Sequence, residues 1–218
     1  IDCGDRVLAC ADSNVAVDNM AERLIQAGLH VVRVGHPARL LPSVLSNSLD
    51  ALVEASDGAA VARDMRRDLE RLTRKLQRIN SYSQKRQLQS DIRELRSSLR
   101  SLENHTIEQI LRSADVVLCT NVGAADSKIQ RLSFDRVVID EAAQALEASC
   151  WIPLLRAERA VLVGDHLQLP PTICSRKAER EGLGRTLFSR MHEKSESRFD
   201  IMLKVQYRMN KQIMNWAS

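Results

Sequence analysis

Two patterns of apolar and polar residues alternate along this chain. Near both ends, short runs of β-branched and small apolar residues are separated by segments in which apolar residues recur at helical spacing. The apolar runs predict β-strands at residues 6–11, 29–34, 116–119, 136–139, 160–163 and 201–205. Strands that alternate with helices usually pair in parallel through crossover connections. We therefore expect an α/β fold, with a parallel sheet covered by helices on both faces.

The middle of the chain, residues 43–113, follows a different pattern and contains no predicted strand. Its apolar residues are spaced four and three apart in two stretches, Met65, Leu69, Leu72, Leu76, Ile79 and Leu88, Ile92, Leu95, Leu99, Leu102. A polar break at residues 80–83 separates these two heptad-like stretches. The pattern predicts an antiparallel helical hairpin inserted between the strands of the sheet.

The predicted hairpin is rich in arginine, and two interpretations of its basic residues are open. One is a solvated helix surface on which the arginines form local ion pairs. The other is a basic prong that contacts nucleic-acid phosphates or a ribosome-like surface.

Composition narrows the class of protein only slightly. Of the 218 residues, 44% are hydrophobic, which is enough for a real core, and the formal net charge of +4 is a mild bias toward polyanions. Aromatic residues make up only 3%, which argues against a module that binds single strands mainly by base stacking. The five cysteines form no Cys-x-x-Cys pair, so we expect reduced, mostly buried thiols and no structural zinc. No membrane-spanning run or signal peptide is apparent, and we expect a cytoplasmic or nuclear monomer.

Polar residues follow directly after four of the predicted strands. These residues are Asp12-Ser13-Asn14, Thr120-Asn121, Asp140-Glu141 and the segment 164–171. Because the carboxyl ends of parallel strands share one edge of a sheet, these groups should lie side by side. One edge could then hold a metal ion, a triphosphate and a strand of nucleic acid.

The same segments resemble helicase motifs. Asp140-Glu141-Ala142-Ala143-Gln144 resembles motif II, and Gly164-Asp165-x-x-Gln168-Leu169-Pro170-Pro171 resembles motif III. Ser13-Asn14-x-Ala16-Val17-Asp18 resembles motif Ia, and Gln206-Tyr207-Arg208-Met209 resembles motif IV. Together with residues 35–41 and 144–155, they are similar to superfamily 1B helicases of the nonsense-mediated-decay type, in particular the immunoglobulin mu-binding protein 2 group. The resemblance extends over essentially the whole chain and implies a RecA-like fold of the P-loop NTPase type.

The resemblance implies an ATP site with Mg²⁺. Asp140 would coordinate the metal, and Glu141 would act as the base for the attacking water. Gln168 would sense the γ-phosphate, and Arg208 would reach the same phosphate from a second domain. Tyr207 would stack on the adenine. Without the motif, Tyr207 would be interpreted as an ordinary core aromatic residue.

The resemblance also implies contacts with single-stranded RNA or DNA, by Ser13, Asn14, Thr120 and Asn121. Such contacts would hold the nucleic-acid backbone without reading its sequence. The alternative for these residues is helix capping and turn formation, which Ser and Asn perform in many proteins. Ribosome- or tRNA-related complexes are further expected partners, and the resemblance implies 5′ to 3′ translocation.

The chain departs from the family pattern because no Gly-x-x-x-x-Gly-Lys-Ser/Thr phosphate loop occurs in it. We therefore expect a fragment that, alone, neither hydrolyses ATP nor unwinds a duplex. Its expected organisation is a motor domain (1–42 and 114–197), the hairpin (43–113) and the start of a second motor domain (198–218). A non-catalytic nucleic-acid or ribosome-binding module is the alternative.

Overall fold

The computed structural model describes residues 4–79, 81–195, 199–207 and 209–217. Five strands form one sheet: β1 (Val7–Ala11), β2 (Val31–Arg33), β3 (Val116–Thr120), β4 (Phe134–Asp140) and β5 (Ala157–Leu162). Every pair of neighbouring strands is parallel, and their order across the sheet is β2-β3-β1-β4-β5. The predicted parallel α/β fold is confirmed, and the first five predicted strands are present within three residues of their expected ends.

Nine α-helices lie within the described residues. They are α1 (Asn14–Gln26), α2 (Leu49–Ala55), α3 (Asp57–Arg78), α4 (Tyr82–Ser113), α5 (Ser127–Gln130), α6 (Glu147–Leu154), α7 (Arg176–Arg180), α8 (Leu187–Ser195) and α9 (Lys211–Ala217). None of these helices combines the length and the apolar character needed to cross a membrane.

The core is divided between the two faces of the sheet. Alternate residues of β1 show the division: Leu8 and Cys10 belong to one buried cluster, and Val7, Ala9 and Ala11 to the other. The first cluster includes buried residues of α4, α6 and α8, and the second includes those of α1. Since successive strand residues point to opposite faces, continuous apolar runs are what a sheet covered on both sides requires.

The first helix, α1, begins and ends at residues suited to those positions. The Ser13 side chain accepts a hydrogen bond from the Ala16 N–H (3.1 Å), which satisfies one of the free N–H groups of the first turn. Gly28 follows the helix with a φ of 79°, a left-handed conformation that glycine adopts without steric cost.

The inserted helices α3 and α4 form the predicted hairpin. Leu88 and Ile92 of the heptad pattern are buried, and an ion pair between Arg66 and Glu103 (2.6 Å) joins the two helices. The last turn of α4 includes Leu111, which lies in the core against the sheet. The hairpin is therefore packed onto the sheet at one end.

The predicted strand at residues 201–205 is wrong. The structure assigns no strand there, and Ile201, Leu203 and Val205 are 88%, 84% and 69% exposed. A β-strand needs a neighbour for its backbone hydrogen bonds, and no other described strand pairs with this segment. The apolar pattern indicated strand propensity but could not supply the pairing partner.

Three cysteines are buried, two of them in strands of the sheet and one on a helix. Cys10 and Cys119 are register partners on β1 and β3, with their Sγ atoms 3.6 Å apart, and Cys150 lies on α6. The hydrogen bond between Cys10 and Cys119, together with burial, raises the pKa of the Cys10 thiol. Burial raises the pKa of Cys150 to about 11. Cys174 is exposed, and Cys3 lies outside the described residues. The thiols of Cys10 and Cys150 are therefore protonated and unreactive at neutral pH.

Candidate functional site

A row of three residues in register lies at the carboxyl edge of the sheet. Ala11, which ends β1, pairs with Thr120 of β3 on one side and with Asp140 of β4 on the other. Because neighbouring strands lie about 4.8 Å apart, Thr120 and Asp140 are separated by roughly 10 Å along this edge. The structure therefore places the expected nucleic-acid contacts and the expected metal ligand on the same rim.

The two adjacent carboxylates differ in their surroundings. Asp140 is half-buried at the end of β4, and its Oδ1 accepts a hydrogen bond from the Glu141 N–H (2.9 Å). Glu141 is exposed and has a φ of 52°, the only positive value among the described residues other than glycine. Such a conformation is unfavourable for a residue with a side chain and is concentrated at functional sites. Asp140 is thus held in place, while the Glu141 carboxylate remains free of any described partner.

The segment after β5 forms backbone hydrogen bonds with the end of β4 and with the segment that follows β4. The Val163 N–H donates to the Ile139 carbonyl, and the Val163 carbonyl accepts from the Ala142 N–H, both at 2.8 Å. A Cβ atom on Gly164 would lie 2.9 Å from the Ala143 nitrogen, which is too close for any side chain. Gly164 is therefore required for this close approach of the two loops.

Asp165 organises the loop that carries Gln168. Its carboxylate accepts hydrogen bonds from the Leu167 N–H (2.9 Å) and from the Gln168 side-chain amide (3.1 Å). These two bonds lower the pKa of Asp165, so the carboxylate is ionised at neutral pH. Gln168 and Gln144 line the same surface groove of about 390 Å³, so the structure brings the motif II and motif III segments together.

The expected nucleic-acid contacts lie at the ends of β1 and β3. Ser13 is exposed and caps α1, and Thr120 Oγ1 accepts from the Gly123 N–H (3.0 Å). Asn14 is partly exposed, and its Oδ1 accepts from the Arg33 guanidinium (2.9 Å). These hydrogen bonds occupy the side-chain oxygen of each residue, while the Asn14 amide N–H groups have no described partner.

Asn121 requires a correction. The expectation that it contacts nucleic acid needs an accessible side chain, but Asn121 is 0% exposed, and its N–H is already bonded to the Ala11 carbonyl (2.9 Å). Its two side-chain polar atoms have no hydrogen-bond partner among the described residues. The turn after β3 encloses the side chain, so direct contact with a ligand is not supported.

No described contact links the two expected nucleotide contacts near the C-terminus, Tyr207 and Arg208, to the rim. Tyr207 is 94% exposed, and nothing stacks on its ring in the described part of the chain. Arg208 lies outside the described residues. Their assigned roles therefore stay predictions.

A buried ion pair supports the rim and was missed by the sequence analysis. Arg33 and Asp18 are 0% and 1% exposed, with Nε and Oδ1 2.7 Å apart. Arg33 also donates to the carbonyl of Val34 and to Asn14, and Asp18 Oδ2 accepts from the Leu41 N–H (2.8 Å). A charged residue inside the apolar run 31–34 was the available signal, since such a residue is buried only when it is paired.

The rim fits a magnesium–nucleotide complex better than a protein-enclosed metal site. No cluster of three or more His, Cys, Asp or Glu residues suited to a metal occurs in the described ranges. Mg²⁺ is commonly bound by one or two carboxylates together with substrate phosphates and water. Asp140 meets this requirement because its Oδ2 has no described hydrogen-bond partner.

Taken together, the parallel sheet and its acidic edge define a RecA-like α/β domain of the P-loop NTPase type. A family model described as an AAA domain (AAA_11) matches residues 2–176. The chain therefore belongs to this AAA domain family.

Named helicases and nucleic-acid-binding proteins are among its relatives. The chain is 48% identical over 219 aligned residues to the DNA-binding protein SMUBP-2 of Rattus norvegicus, covering 99% of the chain and 22% of that protein. It is 39% identical to the DNA polymerase alpha-associated DNA helicase A of Schizosaccharomyces pombe (98% and 32%). It is 37% identical to a regulator of nonsense transcripts 1 homolog of Arabidopsis thaliana (98% and 16%). These relatives confirm the superfamily 1 resemblance, and the chain spans between about a sixth and a third of their lengths.

Proposed function

We propose that this chain forms part of the first motor domain of an ATP-dependent helicase. In the intact protein, ATP hydrolysis would drive translocation along single-stranded RNA or DNA. The observation that supports this most strongly is the row Thr120–Ala11–Asp140. In this row, the proposed metal ligand Asp140 and the proposed nucleic-acid contact Thr120 lie within roughly 10 Å of each other on one sheet. Sites built on strands hold their side chains more precisely than sites built on loops.

In the proposed nucleotide site, neighbouring residues would have separate roles in ATP hydrolysis. Asp140 would ligate the Mg²⁺ of bound ATP, which neutralises the phosphate charge that develops during phosphoryl transfer. Glu141, exposed and free of described partners, would accept the proton of the attacking water. Gln168 would contact the γ-phosphate, held near it by Asp165. Tyr207 and Arg208 would contribute adenine stacking and a second cation.

A Glu141→Gln variant of the intact protein tests the catalytic assignment. Removing the base should lower nucleic-acid-stimulated ATP turnover by about 10²–10⁴-fold, since general-base catalysis contributes on that order. Affinity for a fluorescent ATP analogue should be retained, because Asp140 remains. Glu179→Gln, an exposed change on α7, is the matched control and should leave turnover unchanged. Unaltered turnover in Glu141→Gln would refute Glu141 as the base, whereas absence of turnover in the unsubstituted intact protein would favour a non-catalytic nucleic-acid or ribosome-binding module.

The nucleic-acid track would run past Ser13, Asn14 and Thr120 at the ends of β1 and β3. A groove of about 610 Å³ extends from Asn14 and Thr120, with Arg39 and Lys128 among the residues that line it. Backbone contacts of this kind accept either RNA or DNA. Strand-displacement assays with 5′ or 3′ overhangs test the proposed 5′ to 3′ direction, and unwinding from a 3′ overhang alone would contradict it.

The 218 residues by themselves should not hydrolyse ATP, because they contain no phosphate loop to hold the triphosphate. Robust ATPase activity in the purified chain, stimulated by single strands, would contradict this. A monomeric state, a cytoplasmic or nuclear location and binding to ribosome- or tRNA-related complexes stay predictions for the intact protein.

A further inference from the structure

The basic residues of the hairpin divide into two groups with different surroundings. We call residues 57–74 and 101–113 the hairpin base, and residues 75–100 the hairpin tip. The base contains six arginines and six carboxylates, and its formal net charge is zero. Five of the six arginines form ion pairs, with the partners Arg66–Glu103, Arg67–Asp64, Arg71–Asp68, Arg74–Glu70 and Arg112–Glu108. In the base, the interpretation as a solvated surface with local ion pairs is confirmed.

The tip has an unbalanced positive charge. It contains seven basic residues and two carboxylates, a formal net charge of +5, whereas the whole chain carries +4. No ion pair within the described ranges involves any of the seven: Lys75, Arg78, Lys85, Arg86, Arg93, Arg96 and Arg100. All except the half-buried Lys85 are exposed. The basic excess of the protein is therefore concentrated at this one tip.

Five of these residues form a stripe along α4. At 3.6 residues per turn, all of them fall within an arc of about 100° beside the apolar seam of Leu88 and Ile92. We call Lys85, Arg86, Arg93, Arg96 and Arg100 the α4 stripe. The two carboxylates of the tip, Asp91 and Glu94, fall on the other side of that seam. The stripe is roughly 22 Å long, because α-helical residues rise about 1.5 Å each.

We propose that the α4 stripe binds the phosphate backbone of double-stranded nucleic acid without reading its sequence. The exposed neighbours of the stripe, Gln89, Ser90 and Ser97, are hydrogen-bonding residues. A protein interface would need apolar or aromatic anchors at its centre, and the stripe has none. Tyr82 is the sole aromatic residue of the tip, so no platform exists for stacking successive single-stranded bases. A row of arginines along one helix suits the regularly spaced phosphates of a duplex.

The test replaces Arg86, Arg93 and Arg96 with Gln in the intact protein. A matched control replaces Arg63, Arg67 and Arg112 of the hairpin base, which are also exposed and whose removal changes the net charge equally. Binding to a blunt duplex is measured by fluorescence anisotropy between 50 and 200 mM salt. Circular dichroism checks that both variants keep their helices.

The stripe variant should lose about 10- to 100-fold in duplex affinity near 100 mM salt, and its salt slope should fall by up to about 2.7. The control should change less than about threefold, and restoring the charge with three lysines should recover most of the binding. Single-strand affinity and the ATP turnover that Glu141 supports should be retained in the stripe variant. Absence of ATP turnover in the intact protein with an unsubstituted stripe would count against the proposed function and not against the stripe.

Several results would overturn the proposal. An equal loss in the stripe and base variants would show a general charge effect. A greater loss for single strands than for duplex would place the stripe on the single-strand track. Unchanged duplex binding, combined with lost binding to an acidic peptide or to vesicles containing phosphatidylserine, would assign the stripe to a different class of partner.

Discussion

The buried ion pair between Asp18 and Arg33 gives the sharpest prediction about stability. The two side chains are 1% and 0% exposed, and their charges are compensated within the protein. Removing one partner leaves the other charge buried without its counterion, which costs about 3–5 kcal/mol in comparable pairs. Asp18→Leu should therefore lower the free energy of unfolding by that amount. Asp18→Leu also loses the hydrogen bond from the Leu41 N–H (2.8 Å), which places the expected value toward the upper end.

The double variant Asp18→Leu/Arg33→Met separates pairing from packing. It removes both charges and restores apolar volume, so it should cost clearly less than the sum of the two single variants. The expected coupling energy is about 2–3 kcal/mol. Urea unfolding at equilibrium, followed by circular dichroism, measures all three free energies. Arg39→Met, an exposed arginine in the loop after β2, is the control and should change stability by less than about 0.5 kcal/mol.

Two results would refute this reasoning. One is a cost below about 1 kcal/mol for either single change, which would mean that water reaches the pair. The other is additivity of the single changes, which would mean that the two charges do not interact.

Three further predictions follow from the site and its surroundings. Burial raises the pKa of Cys150 from 9.0 to about 11, so its contribution to stability should be complete below pH 9 and lost as the pH rises to 11. The melting temperature should fall less steeply over this range in Cys150→Ala. Asn121→Leu should raise the free energy of unfolding by about 1 kcal/mol, because it removes buried polar atoms without described partners; a decrease would reveal an internal partner. Asp12 is exposed at the rim and accepts from Ser149 Oγ (3.3 Å). Asp12→Ala should strengthen single-strand binding about fivefold in filter-binding assays by removing a repulsion on the order of 1 kcal/mol, and unchanged affinity would dismiss that repulsion.

The strands of the sheet were predictable because a strand that is buried on both faces has a continuous apolar sequence. Runs such as 116–119 can be continuous and apolar only where helices cover both sides of a sheet. The strand expected at residues 201–205 failed for a related reason. Its composition is equally apolar, but strand formation also depends on a pairing partner, which composition does not encode.

The site was predictable at the level of position and much less at the level of side-chain contacts. Parallel pairing alone brings Thr120 and Asp140 to one edge, so their common location followed from the order of strands and helices. The burial of Asn121 depends on how the following turn folds back on β1, and the Arg33–Asp18 pair joins residues from different elements. Single-sequence patterns carry little information about such tertiary contacts.

The conformation of Glu141 connects the geometry of the rim to its chemistry. A residue with φ near 52° reverses the chain directly after β4, so that the Gln144 N–H reaches the Glu141 carbonyl (2.9 Å) and Ala142 reaches Val163. Without this reversal the acidic residues and the Gln168 loop would diverge beyond the sheet edge. The left-handed backbone costs on the order of 1 kcal/mol or more for a residue with a Cβ. Glycine would adopt the same turn without that cost but would have no carboxylate. Glutamate at a position whose backbone favours glycine is therefore an observation that supports the proposed role of its carboxylate.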